Sequence, residues 1–438
     1  MRWICSSSCF VSLLAVGCGS DPGPAEDKFV GDGGTVDIPG CGYSFTTRTQ
    51  AEALKQSGTT FGSDSTPRLV HLGFVGDPKT SIVAQWRTAD ETTTGSVIRY
   101  GVGANLAETA LTEKVDGLQF RYKSTGTEMF RMHQAHLCNL QPGTAYSYQV
   151  GSIEPSGTTH LSPVYTFHTA PDVVAHPDAE VTFGFVGDSR GGQDVWAQVV
   201  GQLQQRTPDV MLFSGDATTV GISQPEWEDF LGKAEPLFAT IPVVMVNGNH
   251  EANAINFFSQ FAMPGDQENF GFDYGFAHIT VANDTPDDAT TLTTTIRDAI
   301  GADFAASTNA RWKVLLHHRP MYSAGTRHGS DLTLQSSWQP LVDQYHLDLV
   351  LNGHEHQYEI SKPLLGQAVQ TTNATGTVYV VAGGAGAELY PIGNGFWTEY
   401  SEMTHSAAVL HVRGTLLTLD SFRPDGTAIP TGFSKSKP

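Results

Sequence analysis

The chain has 438 residues, 39% hydrophobic and 10% aromatic, and its 45 acidic against 25 basic side chains give a formal net charge of −20. This apolar content supplies large cores over a length suited to two or three domains, while the acidic balance excludes a basic nucleic-acid binder. Charged residues reach only 16%, glycine is frequent, and no run beyond residue 20 approaches the roughly 18 consecutive apolar residues of a membrane-spanning helix, so the composition describes a β-rich exported chain.

At the N-terminus, Arg2 precedes the mostly apolar run from Phe10 to Val16, which predicts a signal peptide over residues 1–17. Small residues before Cys18 resemble a bacterial lipoprotein cleavage box, with Ala15 where such boxes usually carry Leu. On that reading Cys18 is lipidated and the chain sits at the bacterial cell envelope, held to the membrane by its lipid anchor only. The alternative is an ordinary signal with an incidental cysteine, and a secreted or periplasmic protein. Residues 18–65 follow as a flexible tether, Gly-, Pro- and Asp-rich up to residue 40. Cys5 and Cys9 leave with the signal, so Cys41 and Cys138 remain as an expected disulfide tying this arm to the first domain.

Residues 66–172 read as short apolar or alternating runs between polar turns, the pattern of an all-β sandwich. Trp86, in SIVAQWRT, is placed to anchor the core between the sheets, and LQPGTAYSYQV sets Tyr146 just after a Pro-Gly turn. This arrangement resembles a fibronectin type III domain, with Tyr146 as its corner tyrosine, serving as a structural companion or as a surface for partners. From 180 to 430 apolar strands alternate with helical periods, as in VTFGFVGD followed by DVWAQVVGQLQQ. That is α/β organisation: two packed mixed sheets flanked by helices, the second sheet completed by the C-terminal strands. Residues 432–438 are expected to fray.

Five apolar runs end on metal-ligand types: GFVGD on Asp188, MLFSGD on Asp216, VMVNGN on Asn249, VLLHH on His317 or His318, and VLNGHEH on His354 and His356. In an open α/β sheet such strand ends share one edge, and glycines at 187, 215, 248 and 353 allow sharp turns before the ligands. Oxygen and nitrogen donors without thiolate suit intermediate divalent metals or Fe(III). The donors are too many for one four-coordinate ion and fit two ions sharing a carboxylate, a device for displacement at phosphorus.

The ordered set GD, GD, GNHE, HRP, GHEH resembles the calcineurin-like metallophosphoesterases, and among them the purple acid phosphatases, which place a fibronectin-like domain first. The resemblance spans about residues 66–430, including YTFHTAP and VYVVAGGAG. It implies that Asp188, Asp216 and His356 hold one metal and Asp216, Asn249, His318 and His354 the other; the ligand directly precedes Arg-Pro, which favours His318 over His317. It further implies in-line attack on a phosphate ester by water activated at the metals, with His250 donating to a phosphoryl oxygen or the leaving group. His328 matches a substrate-facing histidine, and Glu251 either orients His250 or faces outward.

Two positions depart from the family. Thr219 stands where a tyrosine binds Fe(III) and gives the purple colour, so a colourless or weakly coloured enzyme with Fe, Mn or Zn is expected. Arg190 stands where the wider family often has a histidine; a guanidinium there either grips a phosphate oxygen or pairs with a structural carboxylate. The expected activity is hydrolysis of phosphate monoesters. The alternatives are a phosphodiesterase acting on nucleotides or lipid headgroups, and a non-catalytic surface binding protein.

Overall fold

A computed structural model describes residues 34–47, 62–90, 93, 95–123, 129–286, 288–308 and 310–438. The signal peptide read over 1–17, Cys18 and most of the tether lie outside the described residues. Residues 34–47 correct the tether expectation: Gly34–Ile38 and Tyr43–Thr47 pair antiparallel as a hairpin. Val36 faces Phe45 and Ile38 faces Tyr43 across it, so the alternation, too short to stand out between glycines, makes one apolar face. Ile38 and Phe45 pack with Val83, Phe120 and Met132 of the first domain. The turn carries Cys41, which is disulfide-bonded to Cys138 as expected.

The first domain is a sandwich of a four-stranded and a five-stranded antiparallel sheet. Trp86, Ile98, Tyr148 and Phe167 meet in its core, and Trp86 stacks on His133 with ring centroids 5.3 Å apart. The Tyr146 hydroxyl accepts the Gln141 N–H at 2.8 Å, the corner tie anticipated from the sequence. Glu113–Asp116 and Leu118–Lys123 are strands that the pattern did not announce. Both lie at sheet edges, where charged residues guard against stray pairing and mask the alternation.

Apolar packing and polar ties fix the sandwich to the second domain. Leu69 and Phe74 enter the second domain's main core. Glu228 accepts from both Arg68 and Arg87, Glu235 accepts the Leu69 N–H at 3.0 Å, and the Tyr148 hydroxyl donates to the Ala239 carbonyl at 2.8 Å.

The second domain packs a six-stranded sheet against a seven-stranded one. In the first, Val181–Val186, Val210–Phe213 and Val243–Met245 run parallel, and Ala407–Val412, Leu416–Phe422 and Ala428–Ser436 extend it antiparallel. In the second, Ala277–Val281, Trp312–Leu316, Leu349–Asn352 and Val378–Ala382 run parallel. Helices cover the outer faces. In Leu332–Gln344, Leu334, Trp338 and Val342 recur every fourth position and are buried, the stripe of an amphipathic helix, and the Asp331 carboxylate caps its N-terminus by accepting from Thr333 and Leu334 N–H. Two expectations are corrected. The C-terminal strands divide between the sheets, because Val378–Ala382 and Thr398–Glu402 join the second sheet and the last three join the first. Residues 432–438 are not frayed: the final strand reaches Ser436, and Lys435 and Lys437 reach the buried Asp348 carboxylate at 2.9 and 2.7 Å.

His278 sits between Asp273 and Asp303, with ring nitrogens 2.8 and 2.9 Å from their carboxylates. Burial opposes its charge, but hydrogen bonds to Asp273 and Asp303 outweigh this and raise its pKa from 6.5 to about 9. With the folded value above the unfolded one, the stabilisation is complete below about pH 6.5 and is lost as pH rises through about 9. After allowance for solvent screening of the exposed Asp273, it is worth about 2 kcal/mol. The melting temperature of His278→Gln should therefore fall furthest below that of the native protein at pH 6 and converge with it by about pH 10; a constant gap would exclude the charged pairing. Reducing the disulfide, which spans 97 residues, or introducing Cys41→Ser with Cys138→Ser, should cost about 2–4 kcal/mol in urea unfolding and expose the 34–47 amides to hydrogen exchange.

Candidate metal centre

The parallel strands of both sheets point their carboxyl ends at one place. Asp188, Asp216 and Asn249 follow Val181–Val186, Val210–Phe213 and Val243–Met245 in the first sheet. His318, His354 and His356 follow Trp312–Leu316 and Leu349–Asn352 in the second. The site is therefore built across two sheets, which corrects the single edge expected from the strand pattern.

The turns also differ from expectation. Of the four glycines before the ligands only Gly215 has a positive φ, +97°, while Asp188, Asp216 and His354 themselves adopt φ of 60°, 58° and 69°. Left-handed backbone at non-glycine residues is costly and concentrates at functional sites. Gly248 and Gly353 serve close approach instead: a Cβ would overlap Asp216 Oδ1 at the former and Asp188 Oδ2 at the latter.

Two groups of side chains bring their ligand atoms within 4.8 Å of one another: Asp216, His318 and His354, and Asp188, Asp216 and His356. Asp216 belongs to both. The Asn249 Oδ1 lies 3.0 Å from His318 Nε2 and 2.9 Å from His354 Nδ1, and these two nitrogens are 3.2 Å apart. His318 Nδ1 donates to the Ser214 carbonyl at 2.7 Å and His356 Nδ1 to the Glu388 carbonyl at 2.6 Å. Both rings thus turn their ε nitrogens to the carboxylates, the orientation that outer hydrogen bonds give to metal-binding imidazoles. His317 points elsewhere, with Nδ1 3.0 Å from the buried Asp284 carboxylate, which leaves His318 as the histidine in the cluster.

Electrostatics fit the same conclusion. Asp188 and Asp216 are 0% and 1% exposed. Burial, and then the neighbouring Asp216, push the Asp188 carboxyl up despite His356 and His318. Burial also opposes the Asp216 carboxylate, but His318 and His250 hold it below its ordinary range. His318 resists charging through burial, yet Asp216 and Asp188 lift it to about 10. Two adjacent buried carboxylates need cations, and two carboxylates, one carboxamide and three imidazoles converging there are able to hold metal ions.

The remaining candidates line a cavity of about 470 Å³. His250 Nδ1 donates to the Thr219 carbonyl at 2.7 Å, and its Nε2 is 3.9 Å from Asp216 Oδ2. Thr219 itself is exposed. Arg190 Nε is 3.4 Å from Asp216 Oδ2, and its Nη2 donates to the Tyr390 hydroxyl at 3.2 Å. His328 is exposed at the rim, its ring 4.3 Å from that of His354. Glu251 neither orients His250 nor faces outward. Fully buried, it accepts from the backbone N–H of Asp216, Gly248 and Thr218 at 2.7, 2.9 and 3.1 Å, clamping two ligand loops together. Glu355, also buried, accepts from the N–H of His328 and Gly329. Their positions inside GNHE and GHEH were the available signal, but an acid beside ligands in a motif does not reveal which way it points. Tyr390, stacked on His356 at 4.0 Å, had no signal at all.

The comparisons agree with this geometry. Residues 67–169 match the model of the purple acid phosphatase N-terminal domain, and residues 181–358 that of the calcineurin-like phosphoesterases. An uncharacterized protein of Mycobacterium tuberculosis is 26% identical, over 72% of this chain and 69% of its own. The acid phosphatase type 7 of Mus musculus is 29% identical, over 74% of this chain and 78% of its own. A purple acid phosphatase from yellow lupin seeds superposes with a TM-score of 0.74 at 19% identity, covering 85% of this chain and 74% of that one. With both family models matched in order along one chain, this protein joins a purple acid phosphatase N-terminal domain to a calcineurin-like phosphoesterase domain, the build of a metal-dependent phosphatase.

Proposed function

We propose that this protein hydrolyses phosphate monoesters at a two-metal site centred on Asp216. The observation that carries the reading is the pair of Asp/His clusters that share this one carboxylate beside a cavity of about 470 Å³. Asp188, Asp216 and His356 would hold one ion, and Asp216, Asn249, His318 and His354 the other, with Fe, Mn or Zn as candidates. Such a pair, when bound, lowers the pKa of water and neutralises charge on the attacking and leaving oxygens.

The chain's own residues supply the rest. Because His250 Nδ1 faces a carbonyl, that nitrogen carries the proton of the neutral ring. Nε2, 3.9 Å from Asp216 Oδ2, can then donate to a leaving oxygen only when the ring is charged. Arg190, tethered to Asp216 and Tyr390 through Nε and Nη2, keeps further N–H groups for a phosphoryl oxygen. His328 lines the same cavity and orients the substrate from its rim. The disulfide supports work outside the cytoplasm, consistent with the lipoprotein-like leader and a place at the bacterial cell envelope.

Elemental analysis of the purified protein should find about two metal ions per chain, and it should release nitrophenol from nitrophenyl phosphate faster than from the bis-ester. Fewer than about one ion, or no turnover of the monoester, would refute the reading. His250→Ala should keep its metal while kcat falls roughly 10²–10⁴-fold; normal metal content with undiminished turnover would remove His250 from the mechanism.

A further inference from the structure

The strand Ala277–Val281 of the second sheet runs out into Ala282, Asn283, Asp284 and Thr285. Asn283 and Asp284 are buried, and neither belongs to the metal-ligand set. Asp284 grips the second-sheet loop that carries His318. Its Oδ2 accepts from His317 Nδ1 at 3.0 Å and from the Arg319 N–H at 2.7 Å, so one carboxylate oxygen holds the residues on both sides of His318. The Arg319 guanidinium donates to the Asp284 carbonyl and pairs at 3.2 Å with Asp331, which ties the same loop to the capped end of the helix Leu332–Gln344.

Asn283 and Thr285 grip the first-sheet loop that carries Asn249 and His250. Asn283 Nδ2 donates to Asn253 Oδ1 at 2.8 Å, and the Asn253 N–H donates to Asn247 Oδ1 at 3.0 Å. The Thr285 hydroxyl donates to the Asn247 carbonyl at 2.8 Å. This loop needs support from outside, because Ala252 and Asn253 adopt φ of 49° and 56°, a costly left-handed conformation for two successive residues with side chains. Glu251 clamps the loop to that of Asp216, but both of those loops leave the first sheet. The 283–285 segment joins it to the second.

We infer that Asn283, Asp284 and Thr285 are positioning residues that set the approach of Asn249 to His318 across the two sheets, and thereby the affinity of the ion held by Asp216, Asn249, His318 and His354. This rests on the two-metal reading above. The approach they maintain is close, with Asn249 Oδ1 3.0 Å from His318 Nε2, and these two ligands come from loops that the segment holds one on each side. The other group, Asp188, Asp216 and His356, is kept by different ties, among them the Glu388 carbonyl on His356 Nδ1 and the His354 N–H on Asp188. Loosening the segment therefore acts on one ion and spares the other.

The test is calorimetric titration of the metal-stripped full chain with zinc alone, in which the native protein should show two binding events. Asp284→Asn and Asn283→Ala should each weaken one event roughly 10–100-fold and leave the other unchanged, and the weakened event should be the one that His354→Ala removes. Thr285→Val should weaken the same event about fivefold, whereas Thr285→Ser, which keeps the hydroxyl, should not. Equal weakening of both events, or of neither, in variants that retain the native circular dichroism would overturn the clamp; if Asn283→Ala did not fold, the Thr285 pair would decide. If the native protein bound less than about one zinc ion per chain, the two-metal reading would fail by itself. Hydrogen exchange would then decide the clamp: Asp284→Asn should speed exchange of the 247–253 amides as well as the 317–319 amides, and loosening confined to 317–319 would overturn it.

Discussion

Two carboxylates buried side by side are the constraint around which this molecule is organised. Asp188 and Asp216 are almost inaccessible, and in a poorly solvated interior their negative charges are tolerated only with cations close by. The neighbourhood answers that demand: His318 and Arg190 both lie within 4 Å of an Asp216 oxygen. The same demand makes the cluster able to hold metal ions, since an ion at the imidazole nitrogens neutralises the pair more completely than a proton does.

Holding such a site together requires the backbone to be fixed as firmly as the side chains. Three residues of the cluster sit in left-handed backbone, and the loops that carry them are clamped by buried acids. Glu251 ties the Asp216 loop to the Gly248 loop. Burial, and then Asp216 beside it, raise the Glu251 carboxyl to about 7 against the pull of its N–H partners. Behind the loops, the two sheets share one large apolar core with Trp196, Trp227 and Trp312, and the sandwich adds Leu69 and Phe74 to it. The first domain is thus part of the frame that positions the site, and its packing fixes the face of the helix Gln224–Phe238 that meets it.

Much of this was legible in the residues. Apolar runs ending on Asp188, Asp216, Asn249, His318, His354 and His356 announced both the α/β plan and the polar residues that converge in it, because a buried parallel strand must stop at the first polar side chain that it cannot bury alone. Trp86 and Tyr146 likewise announced the sandwich. The hairpin at 34–47 was not legible, since its apolar face depends on Phe120 and Met132 far along the chain. Nor was the last strand, because Lys435 and Lys437 at its end are held by distant groups: the buried Asp348 and the Gly376 and Arg311 carbonyls.

The acidic composition that excluded nucleic acid describes the surface, while the site carries its own local charge. From sequence alone came the identity of the donors and their order along strand ends, because spacing and hydrophobic pattern are properties of the linear chain. Only the tertiary structure could decide that the donors come from two sheets rather than one edge, that His318 and not His317 faces Asp216, and that Glu251 turns inward. Each of those outcomes depends on which distant segment a side chain meets, and that is set by how the sheets pack.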